Sequence, residues 1–253
     1  MFCAAFLAPF QPSGHDKAFT RYAAFLFVLA GVGVIVALWA LTRALARKRT
    51  QALADAAVRI GFVFGGEEWP DKGRAPILET ALFGKGHEHE VKNILAGSAA
   101  GFRASIFDYT FVVGSGKNSQ RYTQTVATFS KDGASLPYFE LHSASAWNRA
   151  WDAVTHKNIH FESAPEFAQQ YVLRGALQEK VRELFTPGLI SFVEGLDARE
   201  KWHMEGADDT LVIYRMSKKA APEKLRDFLD QTSAIASGFF SFANLHATVT
   251  SAN

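Results

Sequence analysis

The sequence predicts an α+β protein in which one N-terminal transmembrane helix precedes a soluble domain with an antiparallel β-meander and packed helices. Three observations carry this. Residues 22–41 (YAAFLFVLAGVGVIVALWAL) hold no charged side chain. Residues 91–141 alternate apolar and polar side chains between glycine-rich turns, the period of half-buried strands. Beyond residue 145, helical and strand periods are mixed, which argues against a doubly wound parallel sheet.

At 1.5 Å per residue, twenty helical residues span about 30 Å, the hydrocarbon thickness of a bilayer. Lys17 and Arg21 bound the run on one side and Arg43 on the other, with Tyr22 and Trp39 near its ends. A soluble core helix rarely runs this far without a polar face. Ala44-Leu45-Ala46 fits a signal-peptidase pattern, but the apolar run exceeds an ordinary signal core and Arg43 intervenes, so a permanent anchor is expected. The denser basic cluster, Arg43, Arg47, Lys48 and Arg49, follows the span and places residues 43–253 in the cytoplasm, as a single-pass cell-membrane protein. Gly33 and Ala37 form a small-xxx-small pair through which two copies could associate.

The expected organisation is a tail (1–21), the spanning helix (22–42), a membrane-proximal helix (43–61), a linker (62–86), the α+β domain (87–240) and a C-terminal tail (241–253). Leu53, Ala56, Ala57 and Ile60 recur at helical spacing before Gly61. Phe62 to Phe64 is short and extended, and GGEEWPDKGRAP is dense in turn formers. Strands are expected at 91–95, 102–113, 120–130 and 136–141, joined by short connections and therefore paired in sequence. A helix at 145–156 would carry Trp147, Trp151 and Val154 on one stripe. Ser163 and Glu166 have capping-box spacing, Tyr171 to Leu173 reads as a strand, and Leu177, Val181, Leu184 and Phe185 as a helix. Thr186-Pro187 starts a helix that Gly195 ends. Residues 202–205 and 211–216 form a hairpin, and Pro222 opens a last helix ending near Gly238.

Charge excludes some functions. Residues 1–50 carry a net +5, whereas the rest of the chain nets −3, so nucleic acid is not an expected partner. Cys3 is the single cysteine, which rules out an internal disulfide framework and thiolate zinc fingers. Gly114-Ser115-Gly116-Lys117-Asn118-Ser119 resembles a phosphate loop, but Phe111 stands where the first glycine belongs and the loop joins two strands. No cofactor is therefore implied.

Candidate chemistry is sparse. His87 and His89 share one face of a regular strand, and a metal would need a third ligand such as His142 or His160. His156 and His160 have helical metal-pair spacing, but Lys157 stands where a zincin has its glutamate. Asp108 interrupts an apolar strand. It is a candidate catalytic acid if a histidine joins it, or an ion-pair partner of Arg121 across the hairpin.

The run from Phe167 through Tyr171-Val172-Leu173, Val181, Leu184-Phe185-Thr186-Pro187 to Trp202, Gly206 and Leu211-Val212-Ile213-Tyr214 resembles a group of uncharacterised bacterial membrane-anchored proteins. So does Phe107-Asp108-Tyr109 followed by the Gly-Ser-Gly-Lys loop and Leu136-Pro137-Tyr138-Phe139. The resemblance covers about residues 80–240 and implies a membrane tether plus one α+β domain, with no functional residues to carry over. The first expectation is a membrane-bound domain that binds another protein or a second copy, with the lipid bilayer as its other partner. The alternatives are a tethered hydrolase using Asp108 with a nearby histidine, and a lipid or small-ligand sensor with a phenylalanine-lined pocket.

Overall fold

The structure, a computed structural model, describes residues 14–66, 80–144 and 158–250. The expected helix at 145–156, with Trp147, Trp151 and His156, lies outside the described residues. The chain divides into two compact units, 1–50 and 51–253.

Helix α1 (Gly14–Ile60) contains the uncharged run. Among its described side chains, Phe25 to Trp39 are exposed, Phe27 at 80%. A core helix buries a stripe of side chains, which residues 25–39 do not, and the helix is long and apolar enough to cross a membrane. At the end of the run the Arg43 guanidinium stacks 3.9 Å over the Trp39 ring, a polar–aromatic pair suited to a headgroup region.

In the second unit the last turns of α1 bury Leu53, Ala56 and Ala57, and Gly61 then leaves the helix at φ +78°. Among the described residues nine strands form one antiparallel sheet: β1 (Val63–Gly66), β2 (His87–Ala99), β3 (Phe102–Val113), β4 (Gln120–Ser130), β5 (Leu136–Ser143), β6 (Asn158–Ile159), β7 (Tyr171–Gly175), β8 (Trp202–Asp208) and β9 (Thr210–Arg215). Their order is β1-β2-β3-β4-β9-β8-β5-β7-β6. The sheet begins within the stretch read from sequence as a linker, because β1 pairs with β2.

The meander holds through β4. β5, the last strand expected in the meander, does not continue it: β9 takes the edge of β4, with Val126 opposite Tyr214, and β5 pairs with β8 and β7. Residues 131–135 run past the tip of the β8–β9 hairpin, where the Lys131 N–H donates to the Asp209 carbonyl at 3.0 Å. A short connection normally joins neighbours, but here a hairpin distant in sequence slots between them.

One face of the sheet packs on α3 (Pro165–Gln170), α4 (Gln178–Leu184), α5 (Pro187–Glu194) and α6 (Leu225–Thr250), burying Phe139, Leu141, Leu173, Met204 and Ile213 against Phe185, Leu189, Phe239 and Phe240. Helix α3 starts at Pro165 with Ala164 as its cap, so the Ser163–Glu166 capping box does not form. Thr186 does cap α5, its Oγ1 accepting from the Leu189 N–H. Helix α6 runs past Gly238, the expected stop, to Thr250. Gly238 is there for packing: a Cβ would come within 2.3 Å of the Phe192 ring of α5. The other face carries a second cluster, including Phe107, Tyr109, Phe111 and Val126, under the short helix α2 (Ala81–Gly84) with its buried Leu82.

Candidate functional site

Among the described residues the sequence-derived candidates do not meet. Asp108 is buried in β3 and accepts hydrogen bonds from Asn93 Nδ2 at 3.0 Å and Thr125 Oγ1 at 2.9 Å. Arg121 lies opposite Val112 and pairs instead with Glu88 at 3.1 Å. His142 belongs to β5, separated from β3 by three intervening strands in the sheet order. His160 is exposed, and its carbonyl accepts from Arg182. Glu88 has φ +53°, and the pairing register shifts between His87 and Glu90, so strict strand alternation fails at these histidines. His87 Nε2–H donates to the Gly114 carbonyl at 2.9 Å, while His89 Nδ1 lies 2.7 Å from the Tyr109 hydroxyl. Among the described residues no group of three or more His, Cys, Asp or Glu is placed to hold a metal ion.

The polar residues that do converge lie on the sheet face covered by α2. Strand pairing puts Thr128, Val212, Glu205, Glu140, Arg174 and Asn158 in one row across β4, β9, β8, β5, β7 and β6. The neighbouring row is Val126, Tyr214, His203, His142 and Val172. Glu140, His142, His203 and Glu205 each expose 0% of their surface.

Hydrogen bonds knit these groups together. His142 Nδ1 lies 2.8 Å from His203 Nδ1, and His142 Nε2 lies 3.2 Å from Glu140 Oε2. The Tyr138 hydroxyl donates to Glu140 Oε1 at 2.9 Å. Glu205 accepts from the Tyr214 hydroxyl at 2.7 Å and from the Leu82 backbone N–H at 2.9 Å, which ties α2 to the sheet. Arg174 Nε donates to Asn158 Oδ1 at 2.7 Å.

Burial sets the protonation states. It pulls His142 below its ordinary value and His203 well below, so both rings are neutral near pH 7. The assignment that satisfies the contacts has His142 Nε2–H donating to Glu140 and His203 Nδ1–H donating to His142 Nδ1. Burial pushes Glu140 up, but the His142 and Tyr138 donors and the Lys85 ammonium outweigh it and keep the carboxylate ionised. Glu205 goes the other way: burial, then the Glu140 charge, raise it to about 7 against the Leu82 N–H, the Tyr214 hydroxyl and Lys85. Two carboxylates opposite each other in a ladder repel, and the conflict relaxes when one holds a proton. Burial lowers Lys85 to about 8, opposed by attraction to Glu140 and Glu205.

This arrangement can store one proton near neutrality on Glu205 and can pass hydrogen-bond polarity from Glu140 through both imidazoles. Its sequence trace is the mirrored spacing Glu140-x-His142 and His203-x-Glu205 inside two otherwise apolar strands. Alternation alone places each pair on one face of its own strand. Nothing local says that the two strands are neighbours.

No known protein family matches the chain, and no curated protein does. Among solved structures, its fold is similar to the crystal structure of the mycobacterial trehalose monomycolate transport factor A, TtfA, with a TM-score of 0.54 and 11% identity, over 78% of this chain and 96% of that one. At that identity the likeness is one of fold: an α+β arrangement held in common by two very different sequences.

Proposed function

We propose that this chain is a single-pass membrane protein whose folded unit, residues 51–253, works at the membrane surface by binding another protein or a second copy of itself, as a non-catalytic factor in lipid handling. The observation that carries the reading is the apolar run of α1, whose described side chains are exposed, in one chain with a packed α+β unit. Exposed apolar surface of that extent is stable in lipid and unstable in water. The fold likeness to a trehalose monomycolate transport factor supports the lipid-handling part. The basic residues Arg43, Arg47, Lys48 and Arg49 favour a cytoplasmic location for the folded unit.

Alkaline carbonate washing tests the anchor: the full-length chain is expected in the lipid pellet, and its release into the wash refutes the reading. In a Cys3→Ser background, a Ser119→Cys variant in whole cells should resist a membrane-impermeant thiol reagent until lysis. Labelling before lysis reverses the orientation. Cross-linking in intact membranes should trap a dimer or one reproducible heterologous adduct. A chain that stays monomeric throughout contradicts the interaction role.

A further inference from the structure

We propose that the cleft between the end of β9 and the start of α6 is an anion site for a phosphate-type group, either inorganic phosphate or the phosphate of a lipid headgroup. The cleft has a volume of ≈ 310 Å³, and Arg215, Lys218, Lys219 and Lys224 line it together with one carboxylate, Asp227, and the apolar Ala220 and Phe228. A liquid water occupies about 30 Å³, so there is room for a phosphate and a small substituent.

The cations are only partly neutralised. Arg215 and Lys218 share one carboxylate, Glu200, and Lys224 lies 3.3 Å from Asp227. Lys219 has no ion pair among the described residues. The excess is local, because residues 51–253 as a whole are net negative. Such a concentration of one sign in a concave site focuses the field on an incoming anion.

Arg215 makes the site more than a patch of surface lysines. Its guanidinium is held 4.7 Å over the Trp202 ring and bonds Glu200 through Nη1, so its position is fixed before any ligand arrives. Its Nε–H is buried and has no acceptor among the described residues. That nitrogen is closed off from the cleft, so a charge-assisted contact with a phosphate oxygen falls to the part of the Arg215 side chain that remains exposed, 12% of its surface. Lys218, Lys219 and Lys224 then supply point charges around the remaining oxygens.

The test is calorimetric titration of inorganic phosphate, and separately of glycerol 3-phosphate, into the full chain in a phosphate-free maltoside detergent. Saturable binding is expected, weakened about tenfold by Lys219→Glu, which inverts one of the charges around the anion. Lys180→Glu, an equal change in net charge at an exposed position on α4 outside the cleft, should leave the affinity unchanged. Tighter binding of glycerol 3-phosphate, the phosphomonoester fragment that phosphatidic acid presents, assigns the lipid; the reverse order assigns free phosphate. No saturable heat with either probe, or equal weakening by Lys219→Glu and Lys180→Glu, overturns the proposal. The carbonate and topology results do not bear on this outcome, so the two readings fail separately.

Discussion

His142 and His203 sit directly opposite each other on adjacent strands and join Nδ1 to Nδ1 at 2.8 Å, with both rings fully buried. One ring must donate and the other accept, so the pair cannot hold two protons in that contact. His203 also stacks on Tyr214, with 5.1 Å between centroids and 18° between planes, which fixes the ring that donates. Replacing His203 by Leu removes the donor and leaves a buried imidazole nitrogen of His142 without it. The expected loss is about 1–3 kcal/mol. Near-ultraviolet circular dichroism melts of the full chain in mild detergent measure it, and a His142→Leu/His203→Leu cycle should be clearly non-additive. Additive losses would mean that the contact carries no coupling.

The proton on Glu205 makes stability depend on pH. The folded carboxyl titrates at about 7, against 4.5 in the reference state. Between those values the folded chain holds a proton that the unfolded chain has lost. This group's contribution is therefore complete below about pH 4.5 and falls away as pH rises through about 7. His142 and His203 act in the opposite sense: the folded chain refuses protons that the unfolded chain takes up, so their contribution is lost as pH falls below 6.5. The difference between wild type and Glu205→Gln isolates the first effect. Glu205→Gln should gain on wild type steadily from about pH 5 to about pH 8 in the same melts. A constant difference across that range would place the Glu205 pKa near its ordinary value.

Gly206 faces Phe139 across β8 and β5, and a Cβ on it would meet the Phe139 ring at 2.2 Å. Phe139 cannot yield easily. It stacks on Phe239 at 5.6 Å and meets Phe185 edge-on at 5.3 Å. Gly206→Ala should destabilise by about 1–3 kcal/mol through overpacking. Adding Phe139→Leu should recover part of that loss, although Phe139→Leu alone is destabilising. Failure of the second change to rescue the first would point to backbone strain as the cause instead.

Thr186 offers a milder test. Thr186→Ala should cost about 1 kcal/mol by freeing the Leu189 N–H, while Thr186→Ser should retain most of the stability. Equal melting of the Ala and Ser variants would show that the cap contributes nothing here.

Much of the architecture is legible along the chain because its signals are local. The uncharged run, the Thr186-Pro187 start, the alternation of 102–113 and 120–130 and the hairpin between 202–205 and 211–216 each depend on residues a few positions apart. Gly238 shows where local reading fails. A glycine near a helix end suggests a stop, yet this one admits the Phe192 ring and α6 continues to Thr250. His87 and His89 fail for a related reason, since the positive φ at Glu88 breaks an alternation assumed to be regular.

The sequence by itself determined that an apolar, membrane-length helix precedes an α+β unit, because hydropathy and period are properties of a single segment. Only the tertiary structure decided which strands are neighbours. The β8–β9 hairpin enters between β4 and β5 from about seventy residues downstream, and that insertion sets His142 against His203 and Glu140 against Glu205. Burial then fixed the charges: an Asp, Glu or His carries the same letter in water and in a core, and the loss of water separates a neutral imidazole or a protonated glutamate from an ordinary surface charge.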